Sequence, residues 1–337
     1  MVVPKARYAT RPHDSVLVIQ RGPNASTDYY LRPRLERETA AWAVADLDGR
    51  PDAEPLLRDS QALLVVICRY ASGPWIDALE AARPRMARVA LFMDDDLPAM
   101  MADETLPASV RGKVAEHFGR HAARLDGLVS EVWLSTPALA GRYPERALVL
   151  EPLPESEPAA PAPADELRVV YHGADTHPEE RAFVVEVARE LARRGSPARV
   201  EVTGDARLRA AAAGLPNLEI VPQLAWPDYL AGQAGRSAAL LLAPLSDTPV
   251  NAARAPVKAF DAARLGAAGL YADAAPYRGF VRTGADGLLL PMRPAAWAEA
   301  IEALLADPDR RRGLATAAAE RFAALRAGRG PLPAPPA

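Results

Sequence analysis

Three consecutive aspartates, Asp94, Asp95 and Asp96, follow the apolar run Arg88 to Met93. A strand ending in carboxylates delivers them to the carboxyl edge of a parallel sheet, where open α/β folds bind ligands. Adjacent carboxylates repel, which can raise a pKa. The group therefore suits binding of hydroxyl groups or general-base work, with a capped, solvated loop as the structural alternative. A second constellation is Lys258 and Asp261, three residues apart just after Pro256. Proline suits the first turn of a helix, and residues three apart share a helix face. A helix N-terminus attracts anions. Lys258 beside it would add a full charge next to a diphosphate, and Asp261 could accept hydrogen bonds from ribose hydroxyls. On spacing alone the pair could equally be a surface ion pair worth a few tenths of a kcal/mol. His117 and His121, four apart, have no third ligand and read as a polar helix face.

The elements that must position these residues alternate strand and helix. The short apolar runs Ser15 to Gln20, Ala62 to Cys68, Arg88 to Met93, Glu131 to Ser135 and Ala147 to Leu150 read as buried parallel strands. Helices are expected at Tyr30 to Ala45, Trp75 to Ala82 and Arg111 to Leu125. The segment EPLPESEPAAPAPADE, residues 151–166, is too rich in proline for either element and reads as a linker. After it the alternation restarts with strands near Leu167, Ala198, Glu219, Ala238, Gly269 and Gly287, and helices between and after them. The expected fold class is α/β, with two Rossmann-like domains and an interdomain cleft at the carboxyl ends of both sheets. The expected boundaries are residues 1–150, a linker at 151–166, residues 167–326, and a disordered tail at 327–337.

The chain of 337 residues is 50% hydrophobic and 25% charged, which excludes global disorder. The formal charge of −3 gives no electrostatic grip on nucleic acid. No run approaches the roughly 20 apolar residues of a membrane span, and the N-terminus lacks the apolar core of a signal peptide. The lone cysteine, Cys68, lies in an apolar run and reads as a buried small residue in a reducing cytoplasm.

The stretch LAPLSDTPVNAARAPVKAFDAARLGAAGLYAD, from Leu242 onward, resembles the nucleotide-binding segment of group-1 glycosyltransferases of the GT-B fold. The similarity is greatest to a subgroup acting in bacterial polysaccharide assembly. It rests on Ala243, Pro244, Leu245, Asp247, Thr248, Asn251, Lys258, Asp261, Ala263, Leu265 and Gly266. It continues through Pro276, Tyr277, Gly284, Gly287, Leu288 and Leu289. YHGADTHPEE, with Gly173, Thr176 and His177, is similar to the start of that family's second domain, while FMDDDLP and VWLSTPALA resemble first-domain motifs. The similarity spans about residues 90–290 in order.

The resemblance implies transfer of a glycosyl unit from a nucleotide sugar to a hydroxyl of a glycan or glycolipid, with retention and without metal or other cofactor. It implies a cytoplasmic enzyme, with peripheral membrane association at the inner face as an option. Donor contacts would come from His172, Gly173, Thr176, Asp247, Thr248, Asn251, Lys258, Asp261 and Tyr277. Asp94, Asp95, Asp96 and His177 would serve catalysis. The loop Gly22 to Asp28 and its continuation, with Ser26, Thr27, Tyr29, Tyr30 and Arg32, would line the acceptor site. Arg32 and Arg34 could equally be exposed helix charges, and Trp226 and Tyr229 could run beside the donor base or pack. Asp94 and Asp96 also spell the D-x-D that binds metal in the other large glycosyltransferase fold, which the C-terminal block does not match. Asp261 stands where the family usually has Glu, Ala253 replaces the earlier Glu, and a basic residue near Gly173 is missing, with His172, His177 and Arg181 nearby. A non-catalytic nucleotide-sugar-binding subunit and a GT-B epimerase are the alternatives.

Overall fold

The computed structural model describes residues 11–143, 147–154, 165–173, 178–328 and 330–334. Their contacts divide into two units. The first comprises residues 1–155, 253–255 and 329–337; the second comprises 156–252 and 256–328.

The first unit holds six parallel strands: β1 (Ser15–Gln20), β2 (Ala41–Asp46), β3 (Leu63–Cys68), β4 (Met86–Met93), β5 (Glu131–Leu134) and β6 (Ala147–Val149), in the order β2-β1-β3-β4-β5-β6. β1, β3 and β4 are buried at every position, as strands covered on both faces must be. β2 corrects the expected Tyr30 to Ala45 helix. A π-helical turn, Thr27–Leu31, and one α-turn, Arg32–Leu35, are followed by a strand pairing Ser15 with Ala41 and Gln20 with Asp46. The edge strand is half-exposed, so its run AWAVAD carries little of the apolar signal of a central strand. The helix expected at Arg111 to Leu125 is also interrupted. It is a helix at Ala108–His117, a 3₁₀ turn at Gly119–His121 and a second helix at Ala122–Leu128.

The second unit holds β7 (Arg168–Tyr171), β8 (Arg199–Thr203), β9 (Leu218–Val221), β10 (Leu240–Ala243), β11 (Ala268–Ala272) and β12 (Leu288–Leu290). Their order, β12-β11-β10-β7-β8-β9, is all parallel. Read outward from β7, this is the 3-2-1-4-5-6 order of dinucleotide-binding folds. Helix Pro178–Arg193 packs on β8 and on helix Pro294–Ala306; helix Lys258–Arg264 packs on β10, β11 and helix Pro308–Ala327.

In each sheet the strand order reverses beside its first strand, between β1 and β3 and between β7 and β10. Such a switch point leaves a crevice at the carboxyl ends. At the chain's end, residues 330–334 are held rather than free. Leu332 is 5% exposed and its N–H donates to Glu38 at 2.7 Å, while the Pro333 carbonyl accepts from the buried Arg88 at 2.8 Å. Proline-rich composition hid an anchored segment. No helix among the described residues is long and apolar enough to cross a membrane.

Candidate functional site

In the first unit, the switch point gathers residues that follow β1, β3, β4 and β5. Ser26 donates to Asp94 Oδ2 at 2.6 Å, and the Arg69 guanidinium lies 3.3 Å from Asp94 Oδ1 and donates to Ser26 Oγ at 3.1 Å. Arg69 also reaches to 3.8 Å from Asp95, which faces Arg254 at 3.4 Å. Arg69 adopts φ +70°, and among the described residues no other non-glycine has a positive φ. A side chain there costs roughly 1–2 kcal/mol, and such strain persists where surrounding contacts impose it. Here the Arg69 N–H donates to the Phe92 carbonyl at 2.8 Å while the side chain is clamped among Ser26, Asp94 and Tyr70.

The electrostatics of this cluster follow from burial. Burial pushes the Asp94 carboxyl above its ordinary value; Arg69 opposes this and Asp95 adds to it. Burial alone would disfavour charge on Arg69, but Asp94, Tyr70 and Asp95 more than restore it. Tyr30, 2% exposed, is raised by burial and by Asp94 and Asp95. Its phenol belongs to the wall of the cluster.

The other residues expected here divide sharply. Asp96 caps helix Leu97–Ala102 by accepting from the Ala99 N–H at 3.1 Å, and also accepts from Arg142 at 2.6 Å and Tyr143 at 2.8 Å. Its acceptor capacity therefore holds a loop. Thr27 is fully buried with its hydroxyl 3.6 Å from Cys68 Sγ, and Tyr29 is 2% exposed, so neither lines an open surface. Cys68 is a buried thiol whose pKa burial pushes up to about 12. Arg32 pairs with Asp28 at 2.8 Å. Arg34 is 4% exposed and donates to the Tyr30 and Glu151 carbonyls at 2.6 and 2.8 Å, which replaces the exposed helix charge with a buried clamp.

In the second unit, Lys258 and Asp261 are not a surface pair. Asp261 is 3% exposed and accepts from Lys258 at 2.8 Å and Arg264 at 2.9 Å. Lys258 also donates to the His172 carbonyl at the end of β7. An ammonium has three donors, so among the described residues one remains unused. Arg264 lies over the Trp226 ring at 5.4 Å, Trp226 stacks on Tyr229 at 5.6 Å, and the Tyr229 hydroxyl meets His172 Nδ1 at 3.3 Å. His172 Nε2 meets Glu201 at 2.8 Å. Burial depresses the His172 pKa, against the opposing pull of Glu201. A neutral ring then donates from Nε2 to Glu201 and accepts from Tyr229. Burial would raise Glu201, but hydrogen bonds from His172 and Arg168 outweigh it and hold the carboxylate ionised.

Gly173 continues this edge. Its N–H donates to Thr203 Oγ1 at 2.9 Å, and a Cβ there would stand 2.4 Å from the Tyr171 hydroxyl. Arg181 donates to the Gly173 carbonyl at 3.0 Å, which brings a basic side chain beside this edge. Asn251 donates from Nδ2 to the Ser246 carbonyl at 2.9 Å and from its N–H to Thr248 Oγ1 at 3.1 Å; both shape the loop after β10, from which Asp247 is exposed. Tyr277 is 4% exposed and packs on Tyr271 at 5.1 Å. Thr176 and His177 lie outside the described residues.

The sequence reading missed Arg69, Arg254, Glu201 and Arg264. Arg69 directly follows a confident strand, which was the available signal. Arg264, three residues after Asp261 on the same helix, was legible from its spacing, whereas Arg254 and Glu201 become site residues only through pairing across elements. The D-x-D carboxylates take different partners, and among the described residues no group of three His, Cys, Asp or Glu side chains is arranged to hold a metal ion.

No protein-family model matches the chain, and no curated protein matches it in sequence. Solved structures do resemble it. An α-glucosyltransferase in complex with UDP and a 13-mer DNA matches with TM-score 0.60 and 10% identity over 91% of this chain and 94% of that one. Anabaena Alr3699/HepE, solved with UDP and glucose, matches with TM-score 0.55 and 13% identity over 93% and 95%. TarM of S. aureus matches with TM-score 0.55 and 11% identity over 80% of this chain and 53% of its own length, so the present chain spans about half of TarM. At such identities the likeness is one of fold: two Rossmann-like α/β units, the GT-B architecture.

Proposed function

We propose that the chain is a glycosyltransferase that moves a sugar from a nucleotide-sugar donor to a hydroxyl of a glycan or glycolipid. The observation that carries this reading is the Lys258 ammonium at the switch point of a 3-2-1-4-5-6 sheet, fixed by the His172 carbonyl and Asp261 with, among the described residues, one donor to spare. That donor would meet the diphosphate as the anomeric C–O bond breaks and negative charge builds on the leaving group, the kind of preorganised electrostatic contact that dominates many catalysed transfers. Asp261 and Arg264 position Lys258; at 3% exposure and paired with two cations, Asp261 acts on the donor through the lysine rather than on ribose. In the first unit, Asp94 would receive the acceptor hydroxyl, with Ser26 and Arg69 fixing its orientation. Retention, independence of metal, and a place at the cytoplasmic membrane face complete the proposal and rest on the sequence resemblance.

The occupied Asp261 carboxylate also favours a second reading, a subunit that binds nucleotide sugar without turning it over. The experiment is calorimetric titration with UDP, GDP, ADP and UDP-glucose, followed by assay of sugar release and transfer with and without EDTA. Binding lost in Lys258→Ala together with turnover supports transfer. Binding without turnover supports the second reading, and no nucleotide binding sinks both.

A further inference from the structure

Beside Asp94 and Arg69 the first unit carries two further cations, Arg21 and Lys113, that the proposed transfer does not use. Tyr70, next to Arg69, is 7% exposed. Its ring has the Arg69 guanidinium at 5.2 Å, the Lys113 ammonium at 5.8 Å and the His117 ring at 5.8 Å. The Ala71 N–H donates to the His117 carbonyl at 2.9 Å, which ties helix Ala108–His117 to the end of β3. Arg21, exposed in the loop after β1, lies near enough to disfavour charge on both Lys113 and His117, after the larger effect of burial on each. Glu116 and Asp48 pull His117 the other way, and Asp94 and Asp95 face Arg69. Neither Arg21 nor Lys113 has an ion pair among the described residues. Cations that crowd one ring and repel one another are stabilised by an anion placed among them, and Arg and Lys are the usual partners of phosphate oxygens.

We propose that Lys113 and Arg69, gathered over Tyr70 beside His117, bind a phosphate group carried by the acceptor, with Arg21 joining from the exposed loop after β1. The assignment to an acceptor rests on the glycosyl-transfer reading; the phosphate site stands without it. Arg21 and Lys113 reach the phosphate from exposed positions, and Arg69 contributes from behind while it holds Asp94. An acceptor hydroxyl on the same molecule would then lie toward Asp94.

The test titrates the full chain with glycerol 1-phosphate, with glycerol as the uncharged control, and follows the His117 ring signals by NMR, assigned with His117→Gln. Lys258→Ala is titrated in parallel to separate phosphate bound at the nucleotide half. Glycerol 1-phosphate should move the His117 signals, glycerol should not, and Arg21→Ala with Lys113→Ala should weaken binding at least tenfold while UDP affinity is unchanged. Vesicles with and without phosphatidylglycerol form a second arm. If only the anionic vesicles bind, and the double variant abolishes it, the phosphate belongs to a lipid acceptor. Equal binding by wild type and the double variant in both arms overturns the proposal, as does a His117 ring that no phosphate compound moves. A chain that fails to bind nucleotides yet binds glycerol 1-phosphate through Arg21 and Lys113 would defeat the transfer reading and leave this site standing.

Discussion

Lys258 and Asp261 have different jobs, and mutation separates them. If Lys258 meets the donor diphosphate as proposed, Lys258→Ala removes a charge-assisted contact worth roughly 1.5–3 kcal/mol, so nucleotide affinity should fall about tenfold to a hundredfold. Asp261→Asn should also cost stability. It takes charge from a carboxylate that is 3% exposed and balances two cations, and about 1–3 kcal/mol of destabilisation is expected in urea denaturation, since both cations keep some access to water. A variant as stable as wild type would show that the network is slack. The aspartates after β4 divide in the same way. Asp96→Ala loses a helix cap and two side-chain partners and should cost about 2 kcal/mol. Asp94→Asn should reduce turnover with donor affinity unchanged, which initial-rate kinetics would read as a loss in kcat.

At the scale of elements, the turn after β3 and the edge of β7 carry the strain and the buried charge. Arg69→Gly relieves the positive φ, whereas Arg69→Ala keeps it. Both lose the guanidinium, so the glycine variant should be more stable by about 1 kcal/mol, read as a higher denaturant midpoint. At β7 and β8, His172 is held neutral by burial, below its ordinary pKa. The unfolded chain therefore binds a proton first as pH falls, so ν for the unfolded state exceeds that of the native state and stability declines with falling pH. The contribution is complete above the ordinary histidine value of about 6.5 and is lost as pH drops from there to the depressed native value. His172→Gln keeps a donor for Glu201 and removes the titration. The wild-type loss of stability between pH 7 and pH 5 should therefore shrink in this variant; an unchanged slope would place the proton elsewhere.

At the scale of the molecule, the first unit is not one stretch of sequence. Residues 253–255 and 329–337 belong to it. They supply the Ala253 carbonyl that accepts from Thr136 at 2.8 Å, the Arg254 that faces Asp95, and the Pro333 carbonyl on the buried Arg88. Arg88 is fully buried against Glu131 at 2.7 Å, and a buried donor stripped of its acceptor costs about 1–3 kcal/mol. Deleting residues 329–337 should therefore lower the stability of the first unit, which hydrogen exchange at β4 and β5 would report. Residues 1–155 expressed alone should be weaker still. Equal protection in the truncated and whole chains would contradict the role given to Pro333.

The sequence by itself determined the parallel α/β class and most strands, because central strands such as LLVVIC are buried on both faces and read as unbroken apolar runs. It also placed Lys258 and Asp261 on one helix face, since that follows from a three-residue spacing. Tertiary structure decided what depends on partners distant in the chain. The half-exposed β2 has its register set by Ser15 opposite Ala41, with no strong apolar pattern of its own. Asp96 became a brace and Asp94 a buried carboxylate beside a cation because one meets Arg142 and Tyr143 while the other meets Ser26 and Arg69. Three identical adjacent side chains carry no such distinction in their letters; only the elements packed around them assign each its charge balance and its exposure.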